Sequence, residues 1–173
     1  MNYRILVFFY SGMALVAIVI GILGNCFTEF PDWLAKPSMT HCLLATAAAL
    51  LAAWMMQKLS IAVEFLRVLF EELSQALPQR NWTWNALAGI LSGVVEEFAF
   101  RGVALVLLGP IWSSVGFGLL HIGWKKTMWF WPLYAGLIGY VFAQVTLFTG
   151  TLWPAAIAHA VYNFVLLQAM NDH

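Results

Sequence analysis

Long apolar runs without charge dominate this sequence and limit what it can fold into. The first run, residues 5–28, contains no acidic or basic residue, and a helix needs about 20 apolar residues to cross a bilayer. Charged residues make up 9% of the chain, against about a quarter in soluble domains, which argues against a soluble fold. Residues 5–28 lack a small-residue cleavage site and are interpreted as a retained span, although an uncleaved signal anchor has the same pattern.

Charged and helix-breaking residues divide the apolar sequence into separate spans. Lys58 ends the second run, and Gly109 with Pro110 separates the third run from the fourth. We therefore predict an all-α, polytopic membrane protein with about six transmembrane helices. The predicted spans are residues 5–28, 38–57, 83–108, 111–123, 128–148 and 151–170.

Residues 58–80 have a different pattern from the spans. The segment KLSIAVEFLRVLFEELSQALPQR places its apolar residues on one side of a helix and most of its charges on the other. This pattern is typical of an amphipathic helix lying at the membrane interface, ended by Pro78. The helix is either a gate for substrate or a plain connector. No repeat or linker marks a second domain, so residues 1–82 and 83–173 are expected to form one structural domain.

Lysine and arginine are distributed unequally between the predicted loops. Six of them fall on one side of the membrane, and only Lys36 falls on the other. Because basic residues concentrate on the cytoplasmic side, we expect a multi-pass protein of the cell membrane with both termini in the cytoplasm. The six basic residues are Arg4, Lys58, Arg67, Arg80, Lys125 and Lys126.

The net charge and the cysteines exclude several classes of partner. The formal net charge is zero, so no nucleic-acid partner is expected and the lipid bilayer is the expected surroundings. Cys26 and Cys42 are isolated from each other and from histidine clusters, which favours free thiols over a disulfide or a metal site.

Several polar residues fall inside the predicted spans, where an ionisable group costs about 2.5–3.5 kcal/mol on insertion scales. At about 1.5 Å per residue, four of them, from three segments, reach one middle layer of the membrane: Glu96, His121, His159 and Asn163. A lone histidine in a membrane helix is more often an interhelical hydrogen-bond partner than a catalyst. Convergence of all four at one depth instead favours a functional site.

Helical spacing separates the two neighbouring glutamates. Glu97 and Arg101 are four residues apart and share a face, so they can pair with each other. Glu96 points about 100° away from Glu97 and finds no partner on its own helix. We therefore predict a structural role for the pair and a general-base role for Glu96.

Three motifs resemble those of one family of membrane proteases. EEFAFR at 96–101 is similar to the EExxxR motif of the CPBP (CAAX protease and bacteriocin-processing, or Abi) intramembrane endopeptidases. FGLLH at 117–121 resembles the FxxxH motif of that family, and HAVYN at 159–163 resembles its HxxxN motif. The motifs occur in the family's order, and the resemblance covers about residues 83–170.

The resemblance implies an endopeptidase that cleaves a membrane-associated protein or peptide, for example at a C-terminal sorting tail or a leader peptide. In that role Glu96 and His121 would activate a water molecule, and His159 and Asn163 would stabilise the oxyanion. The ion pair of Glu97 and Arg101 would hold the motif helix in place, and residues 83–173 would form the catalytic core.

An alternative is kept both for the metal requirement and for the function of the protein. No cofactor is expected, but Glu96, His121 and His159 would be the ligands if the enzyme used zinc. There is no HExxH motif to favour zinc. A proton-coupled transporter is one other function, although the chain shows no inverted repeat. A non-catalytic immunity or assembly factor of the membrane is another.

Overall fold

The computed structural model describes residues 3–28, 34–76, 81–123 and 125–170. These residues are helical, with no strand among them, as the all-α prediction requires. Short 3₁₀ turns occupy Cys26–Thr28 and Lys126–Trp129. In chain order the longer elements are α1 (Tyr3–Leu23), α2 (Met39–Ala62), α3 (Glu64–Ala76), α4 (Trp82–Leu91), two π-helical segments (Ser92–Glu96 and Phe98–Ala104), α5 (Leu105–Leu119), α6 (Phe130–Thr149) and α7 (Trp153–Ala169).

Four helical runs within the described part of the chain are long and apolar enough to cross a membrane. They are Tyr3–Leu23, Met39–Ala62, Trp82–Leu119 and Lys126–Thr149. Six spans were predicted. The difference arises because the predicted third and fourth spans lie in one helical run of 38 residues that is kinked at Gly109, and because α7, with 17 residues, is shorter than the about 20 of a straight crossing.

The predicted break between the third and fourth spans is present as a kink. Gly109 has a φ of 75° and a ψ of 175° inside the helical run, and Pro110 follows it. A positive φ suits glycine because it has no Cβ, and proline cannot donate to the preceding turn. Large apolar side chains such as Phe8, Leu23 and Phe148 are at least 80% exposed, which suits a surface that faces lipid.

The amphipathic helix begins later than predicted. Lys58 belongs to α2, which continues to Ala62, and the extended backbone of Val63 (φ −116°, ψ 110°) separates α2 from α3. The prediction that the amphipathic helix starts at residue 58 was therefore wrong, because the apolar pattern of α2 runs on past its first charge. The predicted end at Pro78 lies outside the described residues.

Small residues allow α7 to approach the segment that carries the two glutamates. A Cβ on Gly93 would lie 2.5 Å from the backbone oxygen of Ala156, and one on Gly89 would lie 2.8 Å from that of Ala160. Such small-xxx-small pairs let membrane helices pack backbone against backbone. The close contact places His159 of α7 beside the glutamates and Asn163 beside Ser92.

Candidate active site

The EExxxR motif lies on a π-helical stretch of backbone. The N–H of Leu105 bonds to the carbonyl of Phe100, five residues earlier, and closes the second π segment. Glu96 ends the first π segment, Glu97 lies between the two, and Arg101 lies in the second. Turns of this kind are rare and are frequently found at functional sites.

Glu97 and Arg101 form an ion pair that is closed off from solvent. Arg101 Nη1 donates to Glu97 Oε1 at 3.1 Å, and the two side chains are 1% and 0% exposed. Arg101 Nη2 donates to the carbonyl oxygen of Gly139 on α6 at 2.7 Å, and the guanidinium lies 4.6 Å from the centre of the Phe117 ring. The pair therefore ties the motif helix to α6.

Gly139 is a residue that the sequence analysis missed. A Cβ at this position would lie 2.9 Å from the Phe117 ring and 3.2 Å from Arg101 Nη2. A larger residue would push the arginine away from the backbone oxygen that it reaches. The available signal was a glycine in a predicted span, where it weakens a helix unless close packing requires it.

Glu97 has a second partner that helical spacing alone does not indicate. His159 Nδ1 donates to Glu97 Oε1 at 2.7 Å, and because a carboxylate only accepts, the ring proton is on Nδ1. The His159 ring stacks on Phe142, with centroids 5.1 Å apart. Held in this way, His159 turns Nε2 toward Glu96, whose Oε2 lies 3.9 Å away.

Glu96 is buried, and its two oxygens have different surroundings. The residue is 9% exposed, and Oε1 accepts a hydrogen bond of 2.9 Å from the hydroxyl of Tyr10 on α1. Oε2 is buried and has no hydrogen-bond donor in the described part of the protein. One oxygen is thus fixed by a hydrogen bond from α1, and the other is not.

His121 and Asn163 are also fixed by hydrogen bonds. His121 lies in the turn after α5, and its Nδ1 donates to the carbonyl of Phe117 on that helix at 2.8 Å, so the neutral ring keeps Nε2 as an acceptor. Asn163 Nδ2 donates to Ser92 Oγ at 2.9 Å, and Ser92 Oγ donates in turn to the carbonyl of Gly89.

A cavity of about 220 Å³ joins these residues. Three of the predicted site residues line it, and His159 lies behind Glu96, in contact with both glutamates. Glu96 and His121, both described residues, are not joined by a hydrogen bond. The lining consists of Leu6, Tyr10, Leu73, Trp84, Ala88, Ser92, Glu96, His121, Trp131, Asn163, Leu166, Leu167 and Met170.

Tyr10 and Ser92 were not predicted as site residues. Ser92 lies four residues before Glu96 and could have been found from that spacing. Tyr10 lies in a span outside the three motifs, and its hydroxyl, beside that of Ser11, was only a weak signal in a largely apolar stretch. Contact between helices far apart in sequence makes Tyr10 part of the site.

Glu96, His121 and His159 would be the ligands if the enzyme used zinc. No group of three or more His, Cys, Asp or Glu side chains within the described ranges is arranged to hold a metal ion. Nδ1 of His159 and Nδ1 of His121 are both engaged as donors, which leaves Nε2 of each ring as the atom that could bind a metal.

Titratable side chains that converge on a cavity within a bundle of membrane-spanning helices define a candidate intramembrane enzyme. Residues 78–165 match the family described as Type II CAAX prenyl endopeptidase Rce1-like. The match covers just over half of the 173 residues, and the chain belongs to this family. No curated protein and no solved structure matches it.

Family membership confirms the resemblance drawn from the three motifs. It indicates a membrane peptidase that acts on a protein or peptide substrate in the membrane. Every predicted site residue lies inside the matched range, whereas Tyr10 lies outside it.

Proposed function

We propose that this chain is an intramembrane endopeptidase that hydrolyses a peptide bond of a membrane-associated protein or peptide by a glutamate mechanism. One observation supports Glu96 as the general base. Glu96 lines the cavity, and its Oε2 is buried without a protein donor among the described residues. A carboxylate oxygen placed in this way is available to take a proton from water. A C-terminal sorting tail and a leader peptide are the candidate substrates.

The reaction begins when a water molecule bound at Glu96 Oε2 attacks the carbonyl carbon of the substrate. Glu96 takes a proton from the water as the new C–O bond forms. The C–N bond then breaks, and Glu96 returns the proton to the leaving nitrogen, which departs as an amine. His121 assists because the Nε2 of its neutral ring can accept a hydrogen bond from the same water.

His159 and Asn163 stabilise the negative oxygen of the tetrahedral intermediate. Glu97 holds the Nδ1–H of His159, which fixes the ring with Nε2 on the side of Glu96. Asn163 has two amide hydrogens, and its bond to Ser92 uses one of them. Donors that are fixed before the reaction stabilise developing charge most effectively.

The test of this mechanism is Glu96→Gln, which keeps the size of the side chain and removes the base. We expect cleavage to be abolished, and we expect uncleaved substrate to accumulate when the membrane peptidomes of wild type and variant are compared. Glu64→Gln, at an exposed position on α3, is the matched control and should cleave like wild type. An active Glu96→Gln would contradict the proposal. A phenotype without any change in cleavage products would favour an assembly factor or transporter.

The proposal also predicts independence from metal. Activity of the purified protein should survive a strong chelator followed by dialysis, because Glu96 supplies the base. Loss of activity on chelation, with rescue by zinc, would instead make Glu96, His121 and His159 metal ligands.

We also propose that the chain crosses the membrane six times, with both termini in the cytoplasm. The support is the unequal distribution of lysine and arginine. Single cysteines introduced at the exposed positions Ser38 and Glu64, after replacement of Cys26 and Cys42, should be labelled from opposite sides of the membrane. Labelling of both from one side would rule out this topology.

A further inference from the structure

The first helix of the chain contributes directly to the candidate site. Tyr10 of α1 is 86 residues from Glu96 in sequence, and its hydroxyl donates to Glu96 Oε1 at 2.9 Å. Leu6 and Tyr10 also line the cavity that contains Glu96, His121 and Asn163. The family match begins at residue 78, so nothing in that match assigns a function to α1.

The hydrogen bond makes the two oxygens of Glu96 chemically unequal. Oε1 is engaged by Tyr10, whereas Oε2 has no donor in the described residues and faces His159 Nε2 at 3.9 Å. A carboxylate without such a bond could rotate and exchange its oxygens. The tyrosine therefore limits the orientation of the group.

We propose that Tyr10 is a positioning residue that holds the carboxylate of Glu96 in the orientation from which it takes the proton from water. This inference rests on the proposed function, because it presupposes that Glu96 is the base. It makes α1 a required part of the active site and not only a membrane anchor.

The structure offers a closely matched control on the same helix. Tyr3 also donates its hydroxyl across to a distant residue, Asn81 Oδ1, at 3.0 Å, but at an exposed position. Tyr3→Phe and Tyr10→Phe each remove one hydroxyl and one interhelical hydrogen bond from α1. Only Tyr10→Phe removes a bond to the proposed base.

An infrared measurement tests the inference without knowledge of the substrate. In purified protein in lipid nanodiscs, the band of the Glu96 carboxyl group is identified as the one that disappears in Glu96→Gln. This band should shift in Tyr10→Phe and remain in place in Tyr3→Phe, with the Tm of both variants close to that of wild type. An unshifted band in Tyr10→Phe, or a shift accompanied by a fall in Tm, would overturn the inference.

Measurements of kcat distinguish a failure of this inference from a failure of the proposed function. For peptides that accumulate with Glu96→Gln, kcat should fall about 10-fold to 100-fold in Tyr10→Phe, as expected for the loss of a hydrogen bond to a charged group. KM should change little, and Tyr3→Phe should behave like wild type. Wild-type kcat in Tyr10→Phe beside an inactive Glu96→Gln overturns the role of Tyr10 alone, whereas an active Glu96→Gln overturns both proposals.

Discussion

Two arginine–glutamate clusters in this protein have helical spacings of three or four residues and opposite surroundings. On α3, Arg67 bonds to Glu64 three residues before it and to Glu71 four residues after it, and its side chain is 46% exposed. In the candidate site, Arg101 bonds to Glu97 four residues before it and is 1% exposed. Helical spacing alone would treat these pairs as equivalent.

The two clusters differ in how much stability the protein loses when one partner is removed. On α3, water replaces any hydrogen bond that is lost, so an exposed pair contributes little to stability. The hydrogen bond from Arg67 also lowers the pKa of Glu64, as ordinary surface pairing does. Arg101 and Glu97 are closed off from solvent, so removing one partner strands the other as a buried charge. We therefore expect the site to depend structurally on the buried pair.

The largest effect is expected when the buried pair is broken. Glu97→Gln removes the charge that Arg101 and His159 both face, and a broken buried pair typically costs about 3–5 kcal/mol. Thermal unfolding in detergent should show a large fall in Tm, together with loss of cleavage. Glu96→Gln is the matched control one residue away, and it should keep the Tm of wild type while it abolishes cleavage.

A double variant sharpens this prediction. Glu97→Gln combined with Arg101→Met removes both charges, so it should be less destabilised than the sum of the two single variants. Additive losses would mean that the two side chains do not depend on each other. A stable but inactive Glu97→Gln beside an unfolded Glu96→Gln would reverse the roles given to the two glutamates.

The helical class and the site segments could be predicted because they depend on local sequence. Charge-free runs of about 20 residues indicate membrane helices, and the four-residue spacing brings Glu97 and Arg101 to one face. The number of membrane crossings is harder to predict from the sequence. A kink such as the one at Gly109 leaves two predicted spans as a single helical run, and α7 falls below the usual crossing length.

The partners of the site residues could not be predicted, because they come from other helices. Helical spacing assigned Glu97 to Arg101 alone, yet His159 shares the same carboxylate oxygen. The bond from Tyr10 depends on how α1 packs against the motif helix, which no residue pattern in α1 specifies. The approach of α7 depends on Gly89 and Gly93, whose spacing is a recognisable membrane-packing signal.

The smallest change in Tm is expected when the exposed cluster on α3 is disrupted. Arg67→Gln removes the hydrogen bonds to Glu64 and Glu71, but both glutamates remain in contact with solvent. Because isolated surface pairs contribute little, we expect no resolvable change in Tm at physiological salt and full cleavage. Any small change in Tm seen at low salt should vanish near 1 M salt, where the screening length falls to about 3 Å.

The Tm loss of Glu97→Gln, by contrast, should persist at 1 M salt, because ions do not reach a buried pair. A large, salt-resistant loss of Tm in Arg67→Gln would show that α3 is packed as tightly as the site, and the distinction between the two clusters would fail.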